Sequence, residues 1–282
     1  MTASVLLITG TSTGIGLTTA VAAARAGFTV VATMRDLGKA AALESAAAEA
    51  GVELDIRALD VTDADSIAAC FAHIRSTYGR LDAVLNNAGA GHVGTVEVED
   101  LDVLRSVMEV NFFGVAAVTK AAMPLLRESR GRLIGVSSVG GVVGQPFNEA
   151  YCAAKFAVEG FLESLTPVAA TLGVRVTIVE PGAVTTEFVA NVGATGAQPT
   201  DGTPYEPAFR AYLERTAAAF DPTNAQTAEG VADVIIDVLS AAEPPARIQT
   251  SVGATRFAGV KLADLDGSAV QGLTSGWVGT PA

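Results

Sequence analysis

Short β-branched runs alternate along this chain with alanine-rich segments of helical period, and few folds accept that alternation. Strand-like runs fall at Val5 to Thr9, Phe28 to Met34, Leu54 to Leu59, Ala83 to Asn86, Arg132 to Val136 and Val174 to Val179, with a last one at Ile248 to Val252. Helical stretches lie between them, at Gly14 to Ala26, Leu37 to Ala50, Asp63 to Tyr78, Glu149 to Leu172 and Thr227 to Ala241. Strand–helix–strand repeats demand crossover connections, so the strands run parallel and the helices cover both faces. The expected fold is α/β: one domain built on a doubly wound parallel sheet of six to seven strands.

No repeat, charge run or linker divides the chain before residue 250, and 282 residues suit a single sheet of that size. Two segments break the pattern. Residues 187 to 225 form a Gly/Pro/Thr-containing insertion with Phe188, Tyr205, Phe209, Tyr212 and Phe220, and residues 253 to 282 form a Gly/Ser-rich tail reaching past Trp277. Long connections of this kind are usually lids, binding loops or chain ends. The domain is therefore set at 1–252, insertion included.

Composition removes several function classes. Eighteen Lys and Arg stand against 30 Asp and Glu, a formal charge of −12, so the basic footprint that neutralises nucleic-acid phosphates is missing. Two histidines and two scattered cysteines build neither a metal cage nor a disulfide framework, and no metal site is expected. Half the residues are hydrophobic, enough to bury about three quarters of the unfolded surface. No apolar run is long enough to span a bilayer, and Met1 to Val5 enters a strand without a basic leader. The expected location is cytoplasmic, with no membrane span and no nucleic-acid partner.

The first strand turns into the first helix through Thr9-Gly10-Thr11-Ser12-Thr13-Gly14-Ile15-Gly16. Glycines let the backbone approach a pyrophosphate, and the unpaired N–H groups of Gly14, Ile15 and Gly16 would attract it at the helix N-terminus. The same glycines also suit a tight turn with no ligand. A second chemistry fits Gly10-Thr11-Ser12-Thr13-Gly14, the nucleophile elbow of serine hydrolases, with His73 or His92 as nominal triad partner. Its position after the first strand tells against it. At the end of the second strand, Arg35 can hold a ribose 2′-phosphate bidentately, whereas Asp36 or a merely solvated Arg35 would favour the unphosphorylated form. NADP(H) is the expected cofactor, with NAD(H) the alternative.

Tyr151-Cys152-Ala153-Ala154-Lys155 places a phenol and an ammonium on one face of a helix. Four tyrosines and four lysines in this chain give about 0.06 such pairs by chance. A tyrosine acting near pH 7 needs its pKa lowered by about three units, roughly 4 kcal/mol, which one cation about 4 Å away supplies at an effective dielectric of 20. An ordinary helix surface remains the plain alternative for these two residues alone. Cys152 points about 100° from Tyr151 and reads as a packing residue.

Taken together, Thr9-Gly10-x-x-x-Gly14-x-Gly16, Asp60-Val61, Asn86-Asn87-Ala88-Gly89, Asn111, Ser138, Tyr151-x-x-x-Lys155 and Pro181-Gly182 resemble the short-chain dehydrogenase/reductase family over residues 4 to 252. Residues 31 to 36 and 146 to 156 resemble more particularly its hydroxysteroid and retinol dehydrogenases. The resemblance implies a Rossmann fold and an NADP(H)-dependent ketoreductase interconverting an apolar ketone and a secondary alcohol. It implies Tyr151 as general acid/base, with Lys155 lowering its pKa and holding the nicotinamide ribose. Ser138 is implied as the residue bonding the substrate oxygen, and Asn111 as the anchor of a water leading from Lys155 to solvent. For the cofactor it implies Asp60 and Val61 at the adenine, Asn87, Ala88 and Gly89 along the adenosine side, and Pro181, Gly182, Val184 and Thr186 near the carboxamide. Ser12 and Thr13 join Arg35 at the 2′-phosphate, and Asn86 ties strands together.

Phe147, Val142 and the insertion's aromatics are candidates for the substrate wall, though those aromatics would equally make a small core. His92 is a candidate for the mouth of the site. A homodimer or homotetramer is the implied assembly, with the Glu149 to Leu172 helix as a contact. A dinucleotide-binding sensor without turnover is the remaining alternative, and it would not need Asn111, Ser138, Tyr151 and Lys155 together.

Overall fold

The computed structural model describes residues 3–186 and 200–279. The call on Phe188 lies outside them, as does the stretch 187–199 of the insertion. Seven strands make one parallel sheet: β1 (Val5–Thr9), β2 (Thr29–Met34), β3 (Asp55–Ala58), β4 (Ala83–Asn86), β5 (Arg132–Val136), β6 (Arg175–Glu180) and β9 (Arg247–Gln249), in the order 3-2-1-4-5-6-9. A two-residue pair, β7 (Val184–Thr185) and β8 (Gln226–Thr227), stands apart from it.

Alternation along β1 shows why the sheet needs helices on both faces. Val5 and Leu7 join one apolar cluster with α3 (Ala64–Tyr78), α5 (Gly114–Ser129) and α6 (Glu149–Ala170), through Ile74, Leu126 and Leu162. Leu6 and Ile8 join the other with α1 (Gly14–Arg25), α2 (Ala41–Ala50) and α8 (Ala228–Ser240), through Ala20, Leu43 and Ile235. All four of these β1 residues are buried. The strand order reverses its direction of growth at β1 and β4, and the crevice beyond their C-terminal ends is where an open α/β sheet takes a ligand.

The helix expected from Leu37 to Ala50 is split. The Asp36 carboxylate accepts from Gly38 N at 2.9 Å and caps a short 3₁₀ turn, Leu37–Lys39, before α2 begins. The last strand is shorter than Ile248 to Val252, because the Ser251 hydroxyl accepts from Ala254 N at 3.1 Å and starts a helix there. Two helices follow, α9 (Val252–Ala263) and α10 (Ser268–Ser275). They pack Ala258 and Val270 against Val142 and Val143. In the insertion, α7 (Glu206–Ala219) packs Phe209 and Tyr212 against Phe147, with ring centroids 5.0 and 5.5 Å away.

Candidate active site

The β1–α1 turn has the shape a phosphate requires. Gly10 and Gly14 sit at φ +72° and +57°, a region that costs other residues strain. A Cβ at Gly10 would lie 2.8 Å from Ala88 Cα, and one at Gly16 would lie 2.1 Å from the Gly10 carbonyl oxygen. Thr13, at the N-cap of α1, makes no side-chain capping bond, which leaves the helix's first N–H groups for a ligand. The residues present therefore fit a dinucleotide's pyrophosphate.

Several predicted cofactor residues converge on that turn. Thr186 lies over Gly14, its Cγ2 3.3 Å from where a Cβ would stand. Asn87 N and Ala88 N both donate to Thr9 Oγ1 at 3.0 Å, while Asn87 Nδ2 donates to the Thr9 and Gly10 carbonyls at 2.9 Å. The Asn87 amide is thus committed to the protein's own backbone. Asn86 Nδ2 donates to Thr119 Oγ1, tying β4 to α5. Pro181 accepts from Val139 N at 2.9 Å, and Gly182 rests against Ala254 at the head of α9. Val184 is buried in β7.

At the end of β2, Arg35 is exposed and has no ion-pair partner among the described residues. Asp36, the rival reading, spends its carboxylate on the cap at Gly38. Asp60 accepts from the Thr62 amide and hydroxyl at 2.9 and 2.7 Å. Burial raises the Asp60 pKa, but those bonds and the Arg35 charge outweigh it and leave it lowered. Val61 packs on Gly114, where a Cβ would come within 2.7 Å.

The four predicted catalytic residues come from three separate elements, and the structure brings them together. Ser138 follows β5 and caps the 139–141 turn, its Oγ accepting from Gly140 N at 3.0 Å. That hydroxyl also bonds the Tyr151 phenol. Both Ser138 Oγ and Tyr151 Cε1 lie 3.4 Å from the Cβ that Gly140 lacks. Lys155, one turn on from Tyr151 in α6, is 4% exposed; its Nζ donates to the Val136 carbonyl at 3.0 Å and lies 5.8 Å from the Tyr151 ring centroid. Asn111 lies on a π-helical turn, Glu109–Phe113, a local distortion common at functional sites. Its side chain bonds the Ala90 amide and the Ala90 and Val107 carbonyls. Gly89 separates it from Lys155: a Cβ there would stand 2.9 Å from Asn111 Oδ1 and 3.7 Å from Lys155 Nζ.

Burial sets the protonation of the pair. It pushes the Tyr151 phenol up to about 12, only partly offset by the Ser138 hydrogen bond. It lowers the Lys155 ammonium to about 8, against the opposing charge of Glu159. Cys152 is buried and its thiol is pushed up to about 11, again by burial, in keeping with a packing residue.

The hydrolase reading does not assemble. His73 bonds Asp55 at 2.7 Å, at the end of β3 opposite the glycine turn, and His92 bonds Glu99 at 2.9 Å. Neither reaches Ser12. Phe147, Phe209 and Tyr212 form a small core, and Val142 is buried under α9 and α10, so these side chains pack within the protein. Three contacts around this region have no signature in the sequence: Asn148 Nδ2 to Tyr212 Oη at 2.7 Å, Thr95 Oγ1 to Glu149 at 3.0 Å, and Tyr205 to Glu97.

Known proteins resemble this chain. Residues 4–196 fit the family model for short chain dehydrogenases. Retinol dehydrogenase 8 of Bos taurus is 41% identical over 276 residues, covering 93% of this chain and 86% of its own length. The 17-beta-hydroxysteroid dehydrogenase type 1 of Homo sapiens is 37% identical over 277 residues, 95% of this chain and 84% of its own. Among solved structures, a short-chain dehydrogenase from Streptomyces avermitilis superposes with a TM-score of 0.78 at 29% identity, covering 97% of both chains. A variant of actinorhodin polyketide ketoreductase with NADPH superposes at 0.75 and 27% identity, over 89% of this chain and 97% of its own.

Proposed function

Since this chain belongs to the short-chain dehydrogenase/reductase family, of the hydroxysteroid and retinol dehydrogenase type, it is an oxidoreductase that acts on CH–OH and C=O groups with NAD(P), and we propose that it is an NADP(H)-dependent ketoreductase of apolar ketones and secondary alcohols with Tyr151 as general acid/base. The carrying observation is the buried Lys155 ammonium beneath a phenol that the Ser138 hydroxyl bonds.

When bound, the dinucleotide supplies or accepts the hydride. Tyr151 gives its proton to the carbonyl oxygen in reduction and takes it back from the alcohol in oxidation. Ser138 holds that oxygen beside the phenol. Lys155 favours the phenolate left when Tyr151 gives up its proton, and Asn111 would anchor a water that links Lys155 to solvent. Burial keeps the free enzyme's phenol protonated at neutral pH, its pKa pushed up to about 12, so without cofactor it stands as a hydrogen-bond donor.

Gly10, Gly14, Ile15 and Gly16 would hold the pyrophosphate, with Asp60 and Val61 at the adenine, the 87–89 segment along the adenosine side and the 181–186 segment near the carboxamide. Arg35, with Ser12 and Thr13, would hold a 2′-phosphate. The preference for NADP(H) rests on the unpaired Arg35 and on the engagement of Asp36 with Gly38. The polyketide ketoreductase variant was solved with NADPH, in line with that reading. A steroid- or polyketide-sized substrate suits the Phe147, Phe209 and Tyr212 wall. Exposed Phe113, Phe156, Val168 and Leu172 on and beside α6 support a homodimer or homotetramer. Among the described residues no helix is long and apolar enough to cross a membrane, and cytoplasmic location remains part of the proposal.

A panel of ketones and alcohols assayed with NADPH and NADP+, beside Tyr151→Phe, tests this reading. Turnover of apolar ketones is expected, with Tyr151→Phe inactive. A variant that still turns over at the wild-type rate overturns the mechanism.

A further inference from the structure

Directly behind Lys155 lies a second group of ionisable side chains that the chemistry above does not use. Glu159, one turn further along α6, is 5% exposed. Arg247, on the edge strand β9, reaches its Oε2 through NH2 at 3.3 Å. The same guanidinium meets Glu163 at 3.0 Å and Glu180 at 2.6 Å, and Glu180 is fully buried, its other oxygen accepting from Gln249 Nε2 at 3.0 Å. One arginine therefore serves three carboxylates, two of them buried. A buried carboxylate without a full counter-charge is costly, so a second cation nearby favours its ionised form.

Lys155 is the cation that geometry offers. Glu159 Oε1 points into the protein and makes no hydrogen bond of good geometry, and neither does the buried Ser137 Oγ beside it. A Cβ at Gly141 would fall 2.5 Å from Ser137 Oγ, 3.0 Å from Glu159 Cγ and 3.1 Å from the Lys155 carbonyl, so the glycine is what lets these groups close up. Ser137 follows Val136, whose carbonyl takes the Lys155 ammonium. The charged groups facing Glu159 are Lys155 and Glu163 from its own helix, Glu180 from β6 and Arg247 from β9; β5 and the 139–141 turn add only the Ser137 hydroxyl.

We propose that Glu159 is a positioning residue of this enzyme: its buried carboxylate, shared between Arg247 and Lys155, keeps the Lys155 ammonium charged beneath Tyr151. The proposal rests on the reading of Tyr151 and Lys155 given above. Burial, and the neighbouring Glu180, push Glu159 up to about 7, so it carries its charge through the alkaline range in which Lys155 and Tyr151 titrate. Removing that negative charge eases loss of a proton from whichever member of the coupled pair releases one first. The sign of the effect is therefore independent of which residue is assigned the pKa.

The test uses full-length protein labelled with ¹³C at the lysine ε carbons, of which the chain has four. In the absence of cofactor, Glu159→Gln is expected to lower the Lys155 titration midpoint by about one pH unit, the order expected for loss of one nearby charge at an effective dielectric of about 20. The alkaline limb of kcat for ketone reduction should move down with it, while Glu159→Asp, which keeps the charge, restores most of both. A midpoint and limb unmoved in a folded Glu159→Gln protein overturn the proposal. Should that variant not fold, the wild-type signal decides: Glu159 must impose a second, lower inflection on the Lys155 titration, and a single inflection overturns the proposal. An inactive Tyr151→Phe with an unmoved Lys155 midpoint would sink the role of Glu159 alone. An active Tyr151→Phe with a midpoint that responds to Glu159 would sink only the catalytic reading.

Discussion

Lys155→Met should stabilise the protein while removing its activity, and the size of the gain follows from burial. Lys155 is 4% exposed, and its pKa falls from 10.5 to about 8 on folding, chiefly through desolvation. At about 1.4 kcal/mol per unit, holding that ammonium inside the protein costs about 3 kcal/mol. Methionine fills nearly the same volume without a charge. It gives up the bond to the Val136 carbonyl, worth about 1 kcal/mol, so the net gain is roughly 2 kcal/mol. For a chain of this length that corresponds to roughly 3 to 4 °C in Tm. The pH dependence identifies the cause. The unfolded lysine binds more protons than the folded one between pH 8 and 10.5, so wild-type stability rises across that window. The penalty is whole below pH 8 and has gone by about pH 10.5, where the variant should lose its advantage. Differential scanning calorimetry of both proteins, without cofactor, at pH 7 and pH 10.5 measures the two differences. A variant less stable than wild type at pH 7, or an advantage that does not change with pH, refutes the reasoning.

Two further perturbations test other parts of the site. Arg35→Ala should weaken NADPH binding by about 10- to 100-fold, the worth of a charge-assisted phosphate contact, while leaving NADH binding nearly unchanged. Fluorescence titration with each dinucleotide measures this, and equal losses for both would show that Arg35 does not read the 2′-phosphate. Trp277, 7% exposed, stacks on Phe257 at 5.7 Å and lies 3.2 Å beneath the Arg215 guanidinium of α7, so it straps the substrate wall to the C-terminal helices. Trp277→Ala should cost about 3 to 5 kcal/mol of stability and raise the KM for ketone with little change in NADPH affinity. Thermal melting and steady-state kinetics decide it, and an unaltered KM would mean that the strap does not shape the site.

What was legible in the sequence was whatever is local. The strands announced themselves because a parallel sheet covered on both faces needs continuous apolar runs, as in Val5-Leu6-Leu7-Ile8, all four buried. The glycine turn and the Tyr151/Lys155 spacing were legible for the same reason, since neighbours in sequence fix them. Helices α9 and α10 were not, because Gly and Ser dilute their pattern and their stability comes from packing on Val142 and Val143, a hundred residues earlier. Ser251 was hidden inside an apparent strand, where only the folded chain shows it capping a helix. Asp36 is a rival to Arg35 in the sequence, and only the fold shows its carboxylate accepting from Gly38 N.

The environment of Lys155 shows most sharply why spacing alone was insufficient. Four residues of helix place its ammonium near Tyr151, and in water that would lower the phenol's pKa. Burial opposes this from both sides, raising Tyr151 to about 12 and lowering Lys155 to about 8, so a lysine alone under the phenol is a weaker device than Coulomb's law suggests. What counters the loss is Glu159, four residues further along the same helix, and its own surroundings are non-local: Arg247, which it meets, is 88 positions away, and Glu180 meets Arg247 because β9 pairs with β6. The edge strand, which contributes just three residues to the sheet, thereby supplies the guanidinium that meets the Glu159 carboxylate behind the catalytic lysine.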